Sequence, residues 1–476
     1  MTAAYEAPDG SIPTLEVPSL EGVASVHLIG IGGAGMRNLA RLFRARGVEV
    51  SGSDLKDSDG LRELRSLGAV VSIGHAARNV GHPGAVIVSS AIGPRNVELL
   101  EAERAGVPVW ARAQALAAFA AGHRSIAVAG THGKTTTTSM LAVILERAGL
   151  DPTYLIGGDL NESGSGARAG SGDLFVFEAD ESDGSFLLST PAIAIVTNIE
   201  VDHVDFYPGG QDEIDAAFAS FMQRAGAVLG CGDDAGVRRA ADLTGVPLLT
   251  YGLEPENHVR VRVDREGPDG AEGTVELNDG AQVALELQVD GRHNLLNATA
   301  ALLAARAAGV APEDAAAALS TFTGVHRRFE LRGRARGAEF FDDYGHNPTE
   351  MAVALRTARG RSPQRLLAVV QPHRYSRVQA LWQELGASLA EADLILVTDI
   401  YAADQAPIPG VTGELVAEAA RAAAPGTPVL YLPHRDDVLD HLEREVRAGD
   451  LVLTMGCGDV WMLGDAALAR IEEHDA

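Results

Sequence analysis

The stretch AVAGTHGKTTTT, residues 127–138, constrains this chain more than any other. The apolar run SIAVA leads into it and SMLAVILERAG leaves it, which predicts a strand, a tight loop and a helix in succession. Gly130 and Gly133 allow backbone N–H groups to curl around phosphate oxygens, and the helix start adds the positive end of its dipole. Lys134 is then placed to reach the outer phosphates, and the Thr135 hydroxyl to hold Mg²⁺. A full P-loop has a glycine five residues before Gly133; Val128 stands there, so this is a shortened variant. A ligand-free strand–helix turn is the bland alternative, but it leaves the lysine unexplained. Lysine is scarce here: of 39 basic residues only Lys56 and Lys134 are lysine.

A phosphate loop of this kind needs a metal carboxylate at the end of a neighbouring strand. LFVFEADESD offers Glu178 directly after four apolar residues, with Asp180, Glu181 and Asp183 following as loop acids. TNIEVDHVDFY ends a further strand with Glu200, Asp202, His203 and Asp205. Glu178 is the stronger metal candidate, and His203 gains interest only from its place beside the phosphate-loop strand.

A second glycine pattern precedes the first. Gly30, Gly32 and Gly35 follow the strand VHLIGI, and Asp54 ends the next strand, VEVSGSD, about 20 residues on. Alone this suggests NAD. The pattern specifies only a diphosphate at a helix start and an acid near a ribose, which a UDP-sugar also supplies.

Strand-like and helix-like runs alternate along the whole chain, which predicts an α/β protein with parallel sheets. At 476 residues it exceeds one ordinary core, and the pattern divides it in three. Residues 1–21 read as an N-terminal lead expected to be disordered. Residues 22–122 form a Rossmann-like unit, 123–327 a central P-loop unit with a hairpin-rich stretch, and 328–476 a second Rossmann-like unit after the hinge-like FTGVHRRFE. The net charge of −26 argues against nucleic acid and anionic membrane surfaces. No apolar run reaches the roughly 18 residues of a membrane helix. Two cysteines, Cys231 and Cys457, and a lead without signal-peptide character point to a reducing cytoplasm.

GIGGAGM, SGSD, GTHGKTTTT, EADESD, NIEVDHVDFY, GRHNLLNA, HRRFE, DDYGHNP and QPHRYSR occur in this order. Together they resemble the Mur ligases, over about residues 22–465. The resemblance implies three domains and an ATP-dependent carbon–nitrogen ligase of peptidoglycan precursor synthesis. Its substrates would be UDP-N-acetylmuramate and L-alanine, joined at the lactyl carboxylate through an acyl phosphate, with ATP and Mg²⁺ required. It also implies a cytoplasmic monomer or weak homodimer. By the same resemblance, Gly30, Gly32, Gly33, Gly35, Asp54, Ser90 and His132 would hold the UDP-sugar. Gly130, Thr131, Gly133, Lys134, Thr135, Thr136, His293, Asn294, Asn297, Arg328 and Asp343 would hold ATP. Thr135, Glu178 and His203 would bind the metal, while Lys134, Glu178, His203 and Asp343 would be catalytic. His346, His373, Arg374 and Arg377 would line the amino-acid pocket.

The chain departs from the family pattern at several points. Asn347 stands where a second histidine is usual, Arg37 where serine is, Gln114 where glutamate is and Cys457 where alanine is. No lysine follows Lys134, so a carbamylated lysine bridging two metals is excluded. Three rival readings are a murein tripeptide ligase, an NAD-dependent dehydrogenase with an accessory nucleotide site, and a P-loop switch acting on a protein partner.

Overall fold

Strands β1 (Ser25–Ile29), β2 (Glu49–Asp54), β3 (Val70–Ile73), β4 (Ala85–Val88) and β5 (Val109–Ala111) form an all-parallel sheet in the order β3-β2-β1-β4-β5. This computed structural model describes residues 16–475 except 90–91, 159, 162–164, 203–205 and 404. Ser90 and His203 therefore lie outside the described residues. So do residues 1–15 of the expected lead, but 16–21 are ordered: the Glu16 carbonyl accepts from Gln114 Nε2 at 2.9 Å and Leu20 packs against the first domain's core.

The central sheet takes β6 (Arg124–Ala129), β7 (Thr153–Leu155), β8 (Ala167–Arg168), β9 (Leu174–Glu178), β10 (Ile193–Val196), β11 (Ala227–Cys231), β12 (Leu248–Gly252), β13 (Val259–Gly267), β14 (Gly270–Glu276) and β15 (Gln282–Leu287). Their order is β15-β14-β13-β12-β11-β10-β6-β9-β7-β8. The phosphate-loop strand β6 lies between β9, which ends in Glu178, and β10, with all three parallel. The hairpin-rich stretch is the antiparallel meander β13–β15.

The third sheet comprises β16 (Glu330–Ala335), β17 (Ala338–Asp343), β18 (Arg365–Val370), β19 (Leu394–Val397), β20 (Val429–Tyr431) and β21 (Asp450–Met455). It runs β16-β17-β21-β18-β19-β20 and is parallel apart from β16. In each sheet the parallel strands put their following loops on one edge, where ligands of α/β proteins bind.

Helices Lys134–Arg147 and Arg292–Ala307 cover one face of the central sheet through Leu141, Ile144, Leu295 and Leu302. On the opposite face, Phe119, Phe175 and Phe177 belong to an apolar cluster continuous with Leu28, Leu39 and Phe43 of the first domain. Phe43 meets Phe119 edge-on with centroids 4.8 Å apart. The first two domains thus share one core, whereas the third has apolar clusters of its own.

One buried carboxylate shapes the first domain. Glu98, 0% exposed at the start of helix Val97–Ala105, accepts from the Ser53 hydroxyl, from Ala76 N–H at 3.0 Å and from Asn79 Nδ2 at 2.6 Å. Ser53 in turn uses its carbonyl to hold the N–H groups of Gly30 and Ile31 at 2.9 and 3.0 Å, so Glu98 supports the first glycine loop from beneath. Burial alone would raise the Glu98 pKa, but hydrogen bonds from His27, Ser53, Ala76 and Asn79 prevail and bring it down to about 2. The resulting stability is complete above the ordinary 4.5 and is lost as pH falls toward 2. Glu98→Ala should lower the calorimetric stability of the first domain by about 2–4 kcal/mol, because four donors lose their acceptor. The gap from the unsubstituted protein should narrow as the solution is acidified below pH 4.5.

Candidate active site

At the first loop, Gly30 takes φ +78°, and Gly33 caps the helix Ala34–Ala45. Gly32 N–H donates to Asp54 Oδ2 at 2.8 Å, and a Cβ at Gly32 would stand 2.6 Å from that oxygen. The acid expected to meet a ribose thus also fastens its own loop. A cavity of about 180 Å³ runs from Gly35 and Arg112 of the first domain to Gly157, Glu178 and Asp180 of the second. Arg112 and Asp180 approach to 3.8 Å across it.

The second loop is built as its sequence implies, with φ +135° at Gly130 and +80° at Gly133, where Lys134 starts the helix. Side chains are excluded at both glycines: a Cβ on Gly133 would stand 2.8 Å from Asn297 Oδ1, and one on Gly130 would meet Asn198. Lys134 is expected to face phosphates; in this structure its ammonium donates to both Glu181 oxygens at 2.8 and 2.9 Å and to the Gly130 carbonyl at 2.6 Å. Burial works against the charge, and Glu181 and Asp180 outweigh it, holding the lysine pKa above its ordinary value. Glu181, 1% exposed, is the counter-charge a buried ammonium needs.

Thr135 and Glu178 stand together at the junction of the loop and β9. Glu178 Oε1 accepts from Gly157 N–H at 2.7 Å, and the Thr135 hydroxyl accepts from Arg328 Nη2 at 3.4 Å. Burial pushes the Glu178 carboxyl above its usual range. A buried carboxylate beside a hydroxyl is a hard oxygen donor set that fits Mg²⁺, whose charge would draw the carboxyl back to its ionised form.

A cavity of about 500 Å³ opens between the second and third domains. It collects Gly133, Thr136, His293, Asn294, Asn297, Arg328 and Asp343, all expected on the ATP side. Asn297 Nδ2 donates to Asn294 Oδ1 at 3.3 Å, and Asn294 Nδ2 to the Asp290 carbonyl at 2.8 Å. Burial holds the His293 imidazole neutral, with its pKa at about 4. Asp343 binds Phe329 N–H at 2.9 Å and Gly345 N–H at 2.7 Å, tying the hinge to the end of β17; burial pushes its pKa up to about 6. Thr131 does not line this cavity; its hydroxyl accepts from Glu200 N–H at 2.9 Å and braces the loop.

His132 is placed differently from expectation. It lines the larger cavity rather than the smaller one, because the loop turns its ring toward the third domain. Nε2 lies 2.9 Å from Glu200, Nδ1 lies 3.4 Å from Glu350, and Thr349 donates to Glu200 at 2.7 Å. Burial would lower its pKa, but Glu200 and Glu350 prevail and raise it to about 9.

In the expected amino-acid pocket, His346 and His373 meet edge-on, with ring centroids 5.3 Å apart. Burial keeps both neutral, at about 4 and about 2. Arg374 starts helix Tyr375–Ala387 at φ +62°, its N–H held by the Tyr401 carbonyl at 2.9 Å. Arg377, expected in the same pocket, is 4% exposed and spends Nε and Nη2 on Asp202 Oδ1 at 3.1 and 2.8 Å and Nη1 on His373 Nδ1 at 2.8 Å. Its guanidinium joins the second and third domains instead of standing open to a ligand.

Sequence reasoning overlooked Asn198, Glu350 and Arg112. Asn198 Oδ1 holds His132 N–H at 2.8 Å, and Glu350 Oε2 accepts from His346 N–H at 3.0 Å. The i,i+4 spacing of His346 and Glu350 was a usable signal; Arg112 carried none.

Two glycine loops thus lie either side of Glu178, and the third domain contacts the second loop through Arg328 and Thr135. Three family profiles match the chain: "Mur ligase family, catalytic domain" at residues 25–124, "Mur ligase middle domain" at 128–305 and "Mur ligase, glutamate ligase domain" at 327–458. The chain belongs to the Mur ligase family. It is 46% identical over 460 residues to the UDP-N-acetylmuramate–L-alanine ligase of Paenarthrobacter aurescens, covering 95% of this chain and 98% of that one. Against the ligase of the same name from Pelotomaculum thermopropionicum the identity is 44%, over 94% and 98% of the two chains. Among solved structures, the UDP-N-acetylmuramate–alanine ligase of Thermotoga maritima superposes with a TM-score of 0.79 at 27% identity, covering 94% of this chain and 99% of that one. A murein peptide ligase from Psychrobacter arcticus gives 0.71 at 27% identity, again over 94% and 99%.

The His132 bridge makes a pH prediction. Because its pKa is raised, the contribution is complete below the ordinary 6.5 and is lost as pH rises through about 9. Small-angle scattering should therefore show the third domain loosening above about pH 9, and His132→Gln should abolish that transition.

Proposed function

We propose that this chain joins L-alanine to the lactyl carboxylate of UDP-N-acetylmuramate, with ATP cleaved to ADP and phosphate. The observation that carries the reading is a pair of cavities flanking the second loop: the smaller reaches Glu178, and the larger reaches Gly133, Thr136 and Arg328, which donates to Thr135. One is lined by the nucleotide residues of the second and third domains, the other reaches Gly35 and Arg112 of the first. The relatives of about 45% identity that bear this activity in their names favour it over the tripeptide reading.

A carboxylate does not condense with an amine at neutral pH, so it is first activated. The first loop takes the diphosphate of the sugar nucleotide and directs its lactyl carboxylate through the smaller cavity toward Glu178. ATP lies in the larger one, its base toward His293, Asn294 and Asn297 and its phosphates on Gly130–Thr136. Lys134 turns from Glu181 to the transferring phosphoryl, whose charge it offsets. Thr135, Glu178 and His203 would hold Mg²⁺, which would supply further charge neutralisation there. Alanine's amine then attacks the acyl phosphate; the tetrahedral intermediate collapses to amide and phosphate. His346, His373 and Arg374 hold the amino acid, Arg374 facing its carboxylate. Arg328 and Asp343 link hinge and third domain to the loop, so docking of that domain excludes the water that would hydrolyse the acyl phosphate. The cytoplasm, where such precursors are assembled, is the proposed setting.

The decisive experiment is phosphate release with UDP-N-acetylmuramate, ATP and Mg²⁺ against a panel of amino acids and a murein tripeptide. Release with L-alanine and not with the tripeptide is expected; preference for the tripeptide overturns the reading. Lys134→Ala should lower ligation by roughly a thousandfold or more while UDP-sugar binding by calorimetry is retained, since the two ligands occupy different loops. More than about a tenth of full activity would remove Lys134 from the mechanism.

A further inference from the structure

We propose that His346, His373 and Cys457 form a binding site for a thiophilic divalent cation, with Zn²⁺ the ion whose chemistry fits. The three residues come from the loops that follow β17, β18 and β21. These strands are parallel and β21 lies between the other two, so their loops emerge on one edge of the sheet. One ligand atom from each residue lies within 4.8 Å of the other two. Tetrahedral zinc spaces nitrogen and sulfur ligands about 3.3–3.8 Å apart, so closing the set needs side-chain movement on the order of 1 Å.

His346 is already oriented as a metal-bound histidine is. Its Nδ1 lies 3.1 Å from the Tyr344 carbonyl and 3.4 Å from Glu350 Oε2, so the ring N–H faces oxygen and Nε2 is left bare. His373 is stacked on Tyr401 at 6.0 Å and 19°, and its Nδ1 accepts from Arg377. Arg377 retains two contacts with Asp202, so His373 can exchange that bond for a cation at Nδ1. Asp202 and Glu350 also offset the positive charge that would oppose a metal here. Cys457 sits in a turn whose flanking carbonyls, Gly456 and Gly458, are fixed by Arg327 at 2.6 and 3.1 Å. Binding converts the thiol to thiolate and releases its proton to solvent.

Three protein ligands leave a fourth position for water. Nitrogen and sulfur donors select against Mg²⁺, which prefers oxygen, so this site is chemically separate from Thr135 and Glu178. Resting on the reading that His346 and His373 hold the amino acid, bound zinc obstructs that pocket and inhibits ligation in competition with L-alanine.

The test is titration of the metal-stripped full chain with Co²⁺. A thiolate-to-cobalt charge-transfer band in the near ultraviolet is expected, bleached by Zn²⁺, absent in Cys457→Ala and retained in Cys231→Ala, whose thiol is buried in the central domain. No band in the unsubstituted chain, or one that survives Cys457→Ala, overturns the site. In the second arm, ligation is measured with saturating Mg²⁺ and rising Zn²⁺. Half-inhibition should need at least tenfold more Zn²⁺ in Cys457→Ala, and L-alanine should relieve it in the unsubstituted enzyme. A cobalt band accompanied by inhibition that is indifferent to L-alanine upholds the metal site and overturns the amino-acid placement.

Discussion

A buried ammonium needs a buried counter-charge, and the pairing of Lys134 with Glu181 organises the centre of this protein. It fixes the glycine loop from within, because the same ammonium also holds the Gly130 carbonyl. Glu181 and Asp180 lie on the loop that follows Glu178 at the end of β9, so the segment that restrains the lysine also presents the acid facing Arg112.

The domains are joined by two different kinds of contact. The first and second share apolar packing around Phe43, Phe119 and Phe175, which is non-directional and tolerates no water. The second and third meet through directional polar contacts: Arg377 with Asp202, His132 with Glu350, Thr349 with Glu200, and Arg328 with Thr135. Such contacts exchange for water at modest net cost. The first two domains are thus packed as one unit, and the third is attached to it by a polar seam.

Much of the fold was legible in the sequence. Apolar runs ending in glycine or acid marked β1, β6 and β9, since buried strands have little compositional freedom. Gly130, Gly133 and Lys134 were legible because phosphate loops demand those residue types at that spacing. Arg377 and His132 were legible as chemistry and not as location. The sequence marked each as a polar group near a site, and their partners Asp202, Glu200 and Glu350 come from other parts of the chain.

What the sequence by itself determined is local: three α/β units, two glycine loops between strand and helix, and a carboxylate one strand away from the lysine. These depend on residue type and near-neighbour spacing, which the chain carries directly. Only the tertiary structure decided that Lys134 rests on Glu181, that His132 faces the third domain and that Arg377 is committed to Asp202. It alone brought His346, His373 and Cys457 together from three loops. The reason is that strand order in a sheet differs from strand order in the chain: β21 inserts between β17 and β18, and no local pattern records that crossing.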